Sequence, residues 1–385
     1  MITVALALIF DFTNGFHDAA NATSTVIATR SLKPRAAVAM SAVFNFLPAF
    51  IVGTAVANTI SKTVNIDSLP ALAAGAIPIG LRVTLAALLG AIFWNLLTWS
   101  FGMPSSSSHA LIGGLIGAGI SAGGLDSISA SAVTKTAIAI VASPVIALMV
   151  AYIATYLIRG IKTFFRLNDD HEFFRWGQIS TSAFLSWGHG SNDAQKTMGI
   201  IAATLYSAGY LNAEDSSKLE PSFWVILAAH AAISIGTFYG GWRIIETMGL
   251  KLTHITRASG MAANIGAITS INGATSLGIP ISTTHAAASS VVGSGLGSGH
   301  RIHVKTIRNM VLAWVITLPS AGLVGFLTFK ATVLPEPFAG IITGSLIVGL
   351  LAYGARLMFT TTTADDVERA LPQDIELLIP LEDKK

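Results

Sequence analysis

The sequence predicts an all-α polytopic membrane protein: two inverted-topology repeats of about five segments each, with broken or re-entrant helices, plus one or two extra helices, 11–12 spans in all. Three observations carry that expectation: the composition, the number of long apolar runs, and two dissimilar polar motifs that each recur at nearly the same spacing. Of 385 residues, 52% are hydrophobic and only 11% are Asp, Glu, Lys or Arg, against roughly 25% charged in an ordinary soluble domain. Such a chain cannot cover a water-facing surface.

Apolar runs lie at about 1–29, 36–60, 83–101, 104–125, 136–158, 176–206, 221–243, 258–277, 280–299, 309–331 and 337–358. Most approach the ~20 residues that cross ~30 Å of hydrocarbon as a helix. The first, fourth, sixth and ninth carry dense groups of Asn, Asp, Ser, Thr, Gly or Pro. An unpaired polar group at membrane depth costs several kcal/mol, so these segments must face protein or a wet cavity.

The four odd segments fall into two pairs. Gly15-Phe16-His17-Asp18-Ala19-Ala20-Asn21 is echoed 175 positions on by Gly190-Ser191-Asn192-Asp193-Ala194-Gln195-Lys196. Pro104-Ser105-Ser106-Ser107-Ser108-His109 is echoed 176 positions on by Pro280-Ile281-Ser282-Thr283-Thr284-His285. Two unlike motifs repeating at almost one offset indicate an internal duplication. Each copy holds five apolar runs, an odd number, so the second copy is expected to enter the membrane in the opposite orientation. The loop charges point the same way. Arg30, Lys33 and Arg35 follow the first run, whereas the counterpart near 211–220 is mostly acidic and polar; the loop near 126–135 has only Asp126 and Lys135, whereas 301–308 has Arg301, Lys305 and Arg308. Basic loops thus swap between copies, as the positive-inside rule requires of an inverted repeat. The expected organisation is repeat 1 at 1–158, a cytoplasmic linker at 159–175 with Arg159, Lys162, Arg166 and Arg175, and inverted repeat 2 at 176–331. An additional helix at 332–359 and a soluble tail at 360–385, rich in Asp365, Asp366, Glu368, Asp374 and Glu376, complete it. By parity the tail lies in the cytoplasm.

The basic residues sit in short loops rather than in a stripe interleaved with aromatics, so no nucleic-acid partner is expected. With no cysteine, thiolate metal sites, disulfides and cysteine nucleophiles are excluded. No cleavable signal peptide is expected, because the run from Ile2 to Phe10 merges into the first polar motif.

Each Pro-hydroxyl run precedes a small-residue apolar stretch. Proline is favoured in a first helical turn and Ser or Thr at a cap, so each run is expected to open a helix inside the membrane. A helix start offers unpaired N–H groups and partial positive charge. Two such starts face to face, with the hydroxyls of Ser105, Ser106, Ser107, Ser108, Ser282, Thr283 and Thr284, would cradle a tetrahedral oxyanion. Neither motif contains arginine, whose bidentate grip suits retention better than release. Asp18, Asn21, Asn192, Asp193 and Gln195 offer the oxygens that a hard cation such as sodium seeks, and Gly15, Gly188 and Gly190 are expected to let the helices break and bare carbonyls. His17, His109, Lys196 and His285 are accessory candidates: the histidines for hydrogen bonding or proton relay, Lys196 for the anion or for snorkelling to water. Asn14 and Thr197 are further shell candidates that do not stand out from background.

At these motifs the chain resembles the inorganic phosphate transporter (PiT) family, whose signature reads roughly Gly-Ala-Asn-Asp-Val-Ala-Asn in both halves. The likeness spans the membrane part and includes both Pro-hydroxyl-His runs, in a form similar to prokaryotic members, since the loop between halves is short. His17 stands where the family has its first Asn, and Lys196 where its last Asn falls in the second half. The resemblance implies phosphate uptake coupled to sodium or protons, with sodium at Asp18, Asn21, Asn192 and Asp193, no cofactor and no enzymatic activity. The expected partners are inorganic phosphate, sodium ions, the lipid bilayer of the cell membrane and a second copy in a homodimer. The rival readings are proton coupling, a carrier of sulfate or another oxyanion, a channel, and an intramembrane serine hydrolase using Ser105 to Ser108 with His109, or Ser191 near Asp193. Duplication of every polar motif argues against the hydrolase, which needs one activated serine.

Overall fold

In the computed structural model, which describes residues 1–70, 77–169, 171–211, 219–360 and 362–371, the polar first run forms one unbroken helix, α1 (Ile2–Ala28). The second run bends: α2 (Pro34–Phe46) and a 3₁₀ turn are followed, at 86°, by the short α3 (Ala55–Ser61). Then come α4 (Ile79–Ser100), α5 (Ser107–Gly123) and α6 (Ala130–Phe165), the last with Pro144 inside it. The order then recurs. α7 (Glu172–Ser207) is unbroken; α8 (Phe223–Tyr239) and α9 (Trp242–Leu250) meet at 71°; α10 (Arg257–Ser276), α11 (Thr283–Ser298) and α12 (Val304–Thr332), with internal Pro319, follow. Even the isolated β-bridges recur, Val64 with Ile128 and Thr253 with Ile302. Among the described residues no other β pairing occurs. α13 (Phe338–Thr360) and α14 (Ala364–Ala370) have no counterpart in the first half.

Packing partners exchange when the halves are exchanged. α4 and α5 pack on α12 of the second half, whereas α10 and α11 pack on α6 of the first; α1 packs on α8 and α9, and α7 on α2 and α3. α1 and α7 run antiparallel: Thr29 meets Gln178, Ser182 donates to the Ala22 carbonyl, and Asn14 reaches Asp193. Both are wrapped by the other helices, which is why their polar residues avoid lipid.

Among the described residues, α4, α6, α12 and α13 are each long and apolar enough to cross a membrane, and up to six segments qualify if each bent pair is one span. The eleven apolar runs all become helix, but the expected 11–12 spans require counting the polar α1 and α7 and the small-residue α5, α10 and α11 as well. α6 and α13 turn large apolar side chains outward, such as Val141, Met149, Leu157, Ile341 and Val348, as a lipid-facing helix does.

The charged loops gather at two ends. Arg175 donates to the Ser31 carbonyl, Arg159 to that of Gly297, and Arg35 pairs with Asp365 at 3.2 Å, joining the 30–35 loop, the 159–175 linker, the end of α11 and the tail. At the other end Asn65 donates to Ser127, and Tyr206 to Asp67. Within the tail, α14 is closed by a capping box between Thr363 and Asp366, whose hydrogen bonds hold the Asp366 carboxyl below its ordinary value. Asp374 and Glu376, and most of the acidic loop near 211–220, lie outside the described residues.

Two expectations need correction. The glycines of the Asp motifs do not break α1 or α7. A methyl group on Gly15 would run into the Ile233 carbonyl, on Gly190 into that of Asn45, and on Gly188 into the Asn272 side chain; these glycines let helices approach closely. The prolines of the hydroxyl runs are not in the first helical turn either. Pro104 and Pro280 stand two residues before the caps Ser106 and Ser282, in extended chain that leads into α5 and α11.

Candidate functional site

The two helix starts meet head to head. Ser106 accepts from the His109 N–H and Ser282 from the His285 N–H, at 3.2 and 3.1 Å, so each cap spends its oxygen on its own helix. Just inside the caps, the His109 and His285 rings lie 4.5 Å apart, and His285 stacks on Trp314. Ser108 donates across the junction to the Ile281 carbonyl at 2.9 Å. The extended Ile281, just before the Ser282 cap, thus lies against α5, whereas Pro104, before the Ser106 cap, accepts from Trp314 of α12.

The antiparallel α1 and α7 deliver the Asp motifs to this junction. Thr283 Oγ1 lies 3.1 Å from Asp193 Oδ2 and 3.4 Å from Asp18 Oδ2; Thr284 donates to Asp18 Oδ2 at 3.2 Å. Asn21 donates to Thr283 and Thr284, both at 3.3 Å, and Asn14 to Asp193 at 3.4 Å. His17 Nδ1 sits 2.6 Å from Asp18 Oδ1. Lys196 contacts Asp193 Oδ1 at 2.5 Å, the Ile281 carbonyl at 2.9 Å and the Ser108 hydroxyl. All of these side chains are buried.

Asp18, Asn21, Asp193, Thr283, Thr284, Ser108 and Lys196 therefore form one polar knot. Other candidates are turned elsewhere. Gln195 Oε1 accepts from Val56 N at 2.8 Å, satisfying the otherwise orphaned start of α3, while its amide donates to Ser191. Asn192 bonds Thr275 at 2.8 Å and faces the chain before α11. Ser105 pairs with Thr98 at 2.7 Å. The buried Ser107 hydroxyl, at the first position of α5, has no partner among the described residues.

His189 joins the site without having been singled out in the sequence. Its Nε2 lies 3.3 Å from Asp193 and 4.0 Å from Asp18, and Asp18, His189 and Asp193 could together hold a cation. The available signal was its position four residues before Asp193, on the same helical face. Asp11, one helical turn before Asn14, is also fully buried, with Asn14 and Thr197 beside its carboxylate.

Comparison with known proteins settles the family. A model of the phosphate transporter family matches residues 14–170 and 162–325. The chain belongs to the phosphate transporter family. A probable low-affinity inorganic phosphate transporter of Rhizobium meliloti is 43% identical over 339 residues, covering 85% of this chain and 95% of the relative. One of the same description from Bacillus subtilis is 41% identical over 332 residues, covering 86% and 96%. A solved structure titled the sodium-dependent phosphate transporter has the same fold, with a TM-score of 0.73 at 24% identity over 86% of this chain and 99% of that one. This family member is thus a multi-pass membrane protein of the permease class and not an enzyme, and the hydrolase reading is set aside.

Proposed function

We propose that this chain is a secondary active importer of inorganic phosphate, coupled to a cation, sodium by preference, and working by alternating access. The observation that carries it is the position of Thr283, whose hydroxyl, at the start of α11, bridges the carboxylates of the paired motifs, Asp18 and Asp193. The hydroxyls an oxyanion needs as donors are held by carboxylates that would repel it. With Lys196 on the other oxygen of Asp193, a cation between Asp18, His189 and the near oxygen of Asp193, with Asn21 beside it, offsets the remaining carboxylate charge and frees Thr283 and Thr284 to donate to phosphate. Ser107 and the first-turn N–H groups of α5 and α11 complete the cradle. Coupling follows, because an anion is not stable in this buried site until a cation has offset its carboxylates. Asn192 serves from the edge, holding the chain that enters α11; Gln195 acts through the α3 start.

Supporting the two-sided cycle are the antiparallel α1 and α7, the recurring helix order and the exchange of packing partners between halves. We take 1–158 and 176–331 as inverted repeats that rock about the knot, 159–175 as their cytoplasmic linker, 332–359 as an added helix whose outward face serves lipid or a second copy, and 360–385 as the tail. The sodium preference draws on the solved relative's title and on the hard oxygen ligands.

The test is radiolabelled phosphate uptake into proteoliposomes with sodium and proton gradients imposed separately. Accumulation driven by inward sodium at equal pH on both sides is the expected result. Accumulation driven only by a proton gradient reassigns the cation, and uptake that never exceeds equilibrium under either gradient contradicts symport. Sulfate competition across pH separates the oxyanions, since only protonated phosphate donates hydrogen bonds.

A further inference from the structure

We infer that the ammonium of Lys196 is a tethered counter-ion that occupies one of two equivalent cation positions, leaving one exchangeable cation to accompany each phosphate. The inference rests on the symport reading above and sharpens it. Lys196 lies 175 positions after Asn21, and the two side chains reach equivalent places: Asn21 bonds Thr284, and Lys196 bonds Ser108, which lies 176 positions before Thr284. In the first half that place holds a neutral amide. In the second it holds a full positive charge.

The surroundings of that charge are those of a bound hard cation. Lys196 Nζ is ringed by a carboxylate oxygen of Asp193 at 2.5 Å, the Ile281 carbonyl oxygen at 2.9 Å and the Ser108 hydroxyl. Carboxylate, carbonyl and hydroxyl oxygens are the ligands such ions take. An ammonium has three N–H donors and no acceptor, and here three oxygens meet them, so none is left to grip the anion. The side chain is 1% exposed, which excludes snorkelling to water. Because the charge is covalently held, it neutralises Asp193 in every state of the cycle and is never carried across with the cargo. Only the cation on the Asp18 and His189 side can be exchanged.

The experiment is the ion-to-phosphate ratio of the full-length protein in proteoliposomes, read from the phosphate gradient that just balances an imposed sodium gradient, or a proton gradient if that is the driving ion. Wild type is expected to balance at one cation per phosphate. Lys196→Asn, which gives the second half the residue of the first, is expected to balance at two. Its uptake at low sodium should fall by about tenfold or more, recover at high sodium, and show a sodium Hill slope raised from about one to about two. Lys196→Arg keeps the charge and should keep a ratio of one. A wild-type ratio of two, or an unchanged ratio in Lys196→Asn, overturns the inference. If Lys196→Asn does not insert or transport, the wild-type ratio alone decides. Wild-type uptake that ignores both ion gradients is a different failure, that of the symport reading itself.

Discussion

Asp193 and Lys196 are mutually dependent, because each would otherwise be a lone charge inside the protein. Removing one partner of a buried pair typically costs about 3–5 kcal/mol, whereas replacing both by neutral groups is often tolerated. Asp193→Asn should therefore lower the thermal unfolding temperature in detergent markedly, and adding Lys196→Met to it should recover much of the loss. An Asp193→Asn variant that melts with wild type would show the ammonium to be paired elsewhere. Asp18 has no lysine beside it, so Asp18→Asn should spare folding and instead abolish cation-driven uptake, reducing it by about a hundredfold as expected for loss of roughly 3 kcal/mol of coupling. Undiminished cation dependence in that variant removes Asp18 from the site. The two aspartates were legible in the sequence because a carboxylate in an apolar run is conspicuous. His189 was not, since its closeness to both carboxylates appears only when the helical face and the opposing α1 are known. The bond of Gln195 to the start of α3 is hidden for a related reason: an amide both donates and accepts, and only packing reveals which group its oxygen meets.

Among the elements, α5 and α11 depend on their caps. Ser106→Ala or Ser282→Ala should each cost about 1 kcal/mol of stability and weaken phosphate binding, since a frayed first turn no longer presents its N–H groups together. Apparent phosphate affinity in uptake assays reads the second effect, and affinity equal to wild type in both variants would separate the helix starts from the anion. At Gly15 and Gly190, where helices cross with no room for a side chain, substitution by Leu should prevent stable insertion, through overpacking of at least 1–3 kcal/mol. The sequence located both helix starts to within three residues, because Ser and Thr at caps act through local chemistry. It misassigned the glycines, because a glycine that breaks a helix and one that admits a neighbouring helix look alike until the neighbour, Ile233 or Asn45, is known. The 86° and 71° bends within the second and seventh runs were equally hidden, since apolar composition is indifferent to direction.

For the whole molecule, alternating access of the proposed kind needs two halves of opposite orientation about one shared knot. The absence of cysteine makes the orientation directly measurable. Single cysteines in the loops 30–35, 159–175 and 301–308 should react with an impermeant thiol reagent from the same side of the membrane, and one in 124–129 only from the other; reaction of 30–35 and 301–308 from opposite sides would contradict the inversion. The recurrence of the helix order was readable from two motifs at nearly one offset, while the wrapping of α1 and α7 by the lipid-facing helices depends on long-range packing that no local pattern encodes. The place of the anion is read from a crystal structure with arsenate, a tetrahedral analogue of phosphate whose arsenic is located by anomalous scattering. An arsenic peak is expected between the first turns of α5 and α11, within hydrogen-bonding reach of Thr283 and Thr284. A peak remote from both helix starts, with the Asp18, Thr283 and Asp193 contacts undisturbed, would contradict that placement.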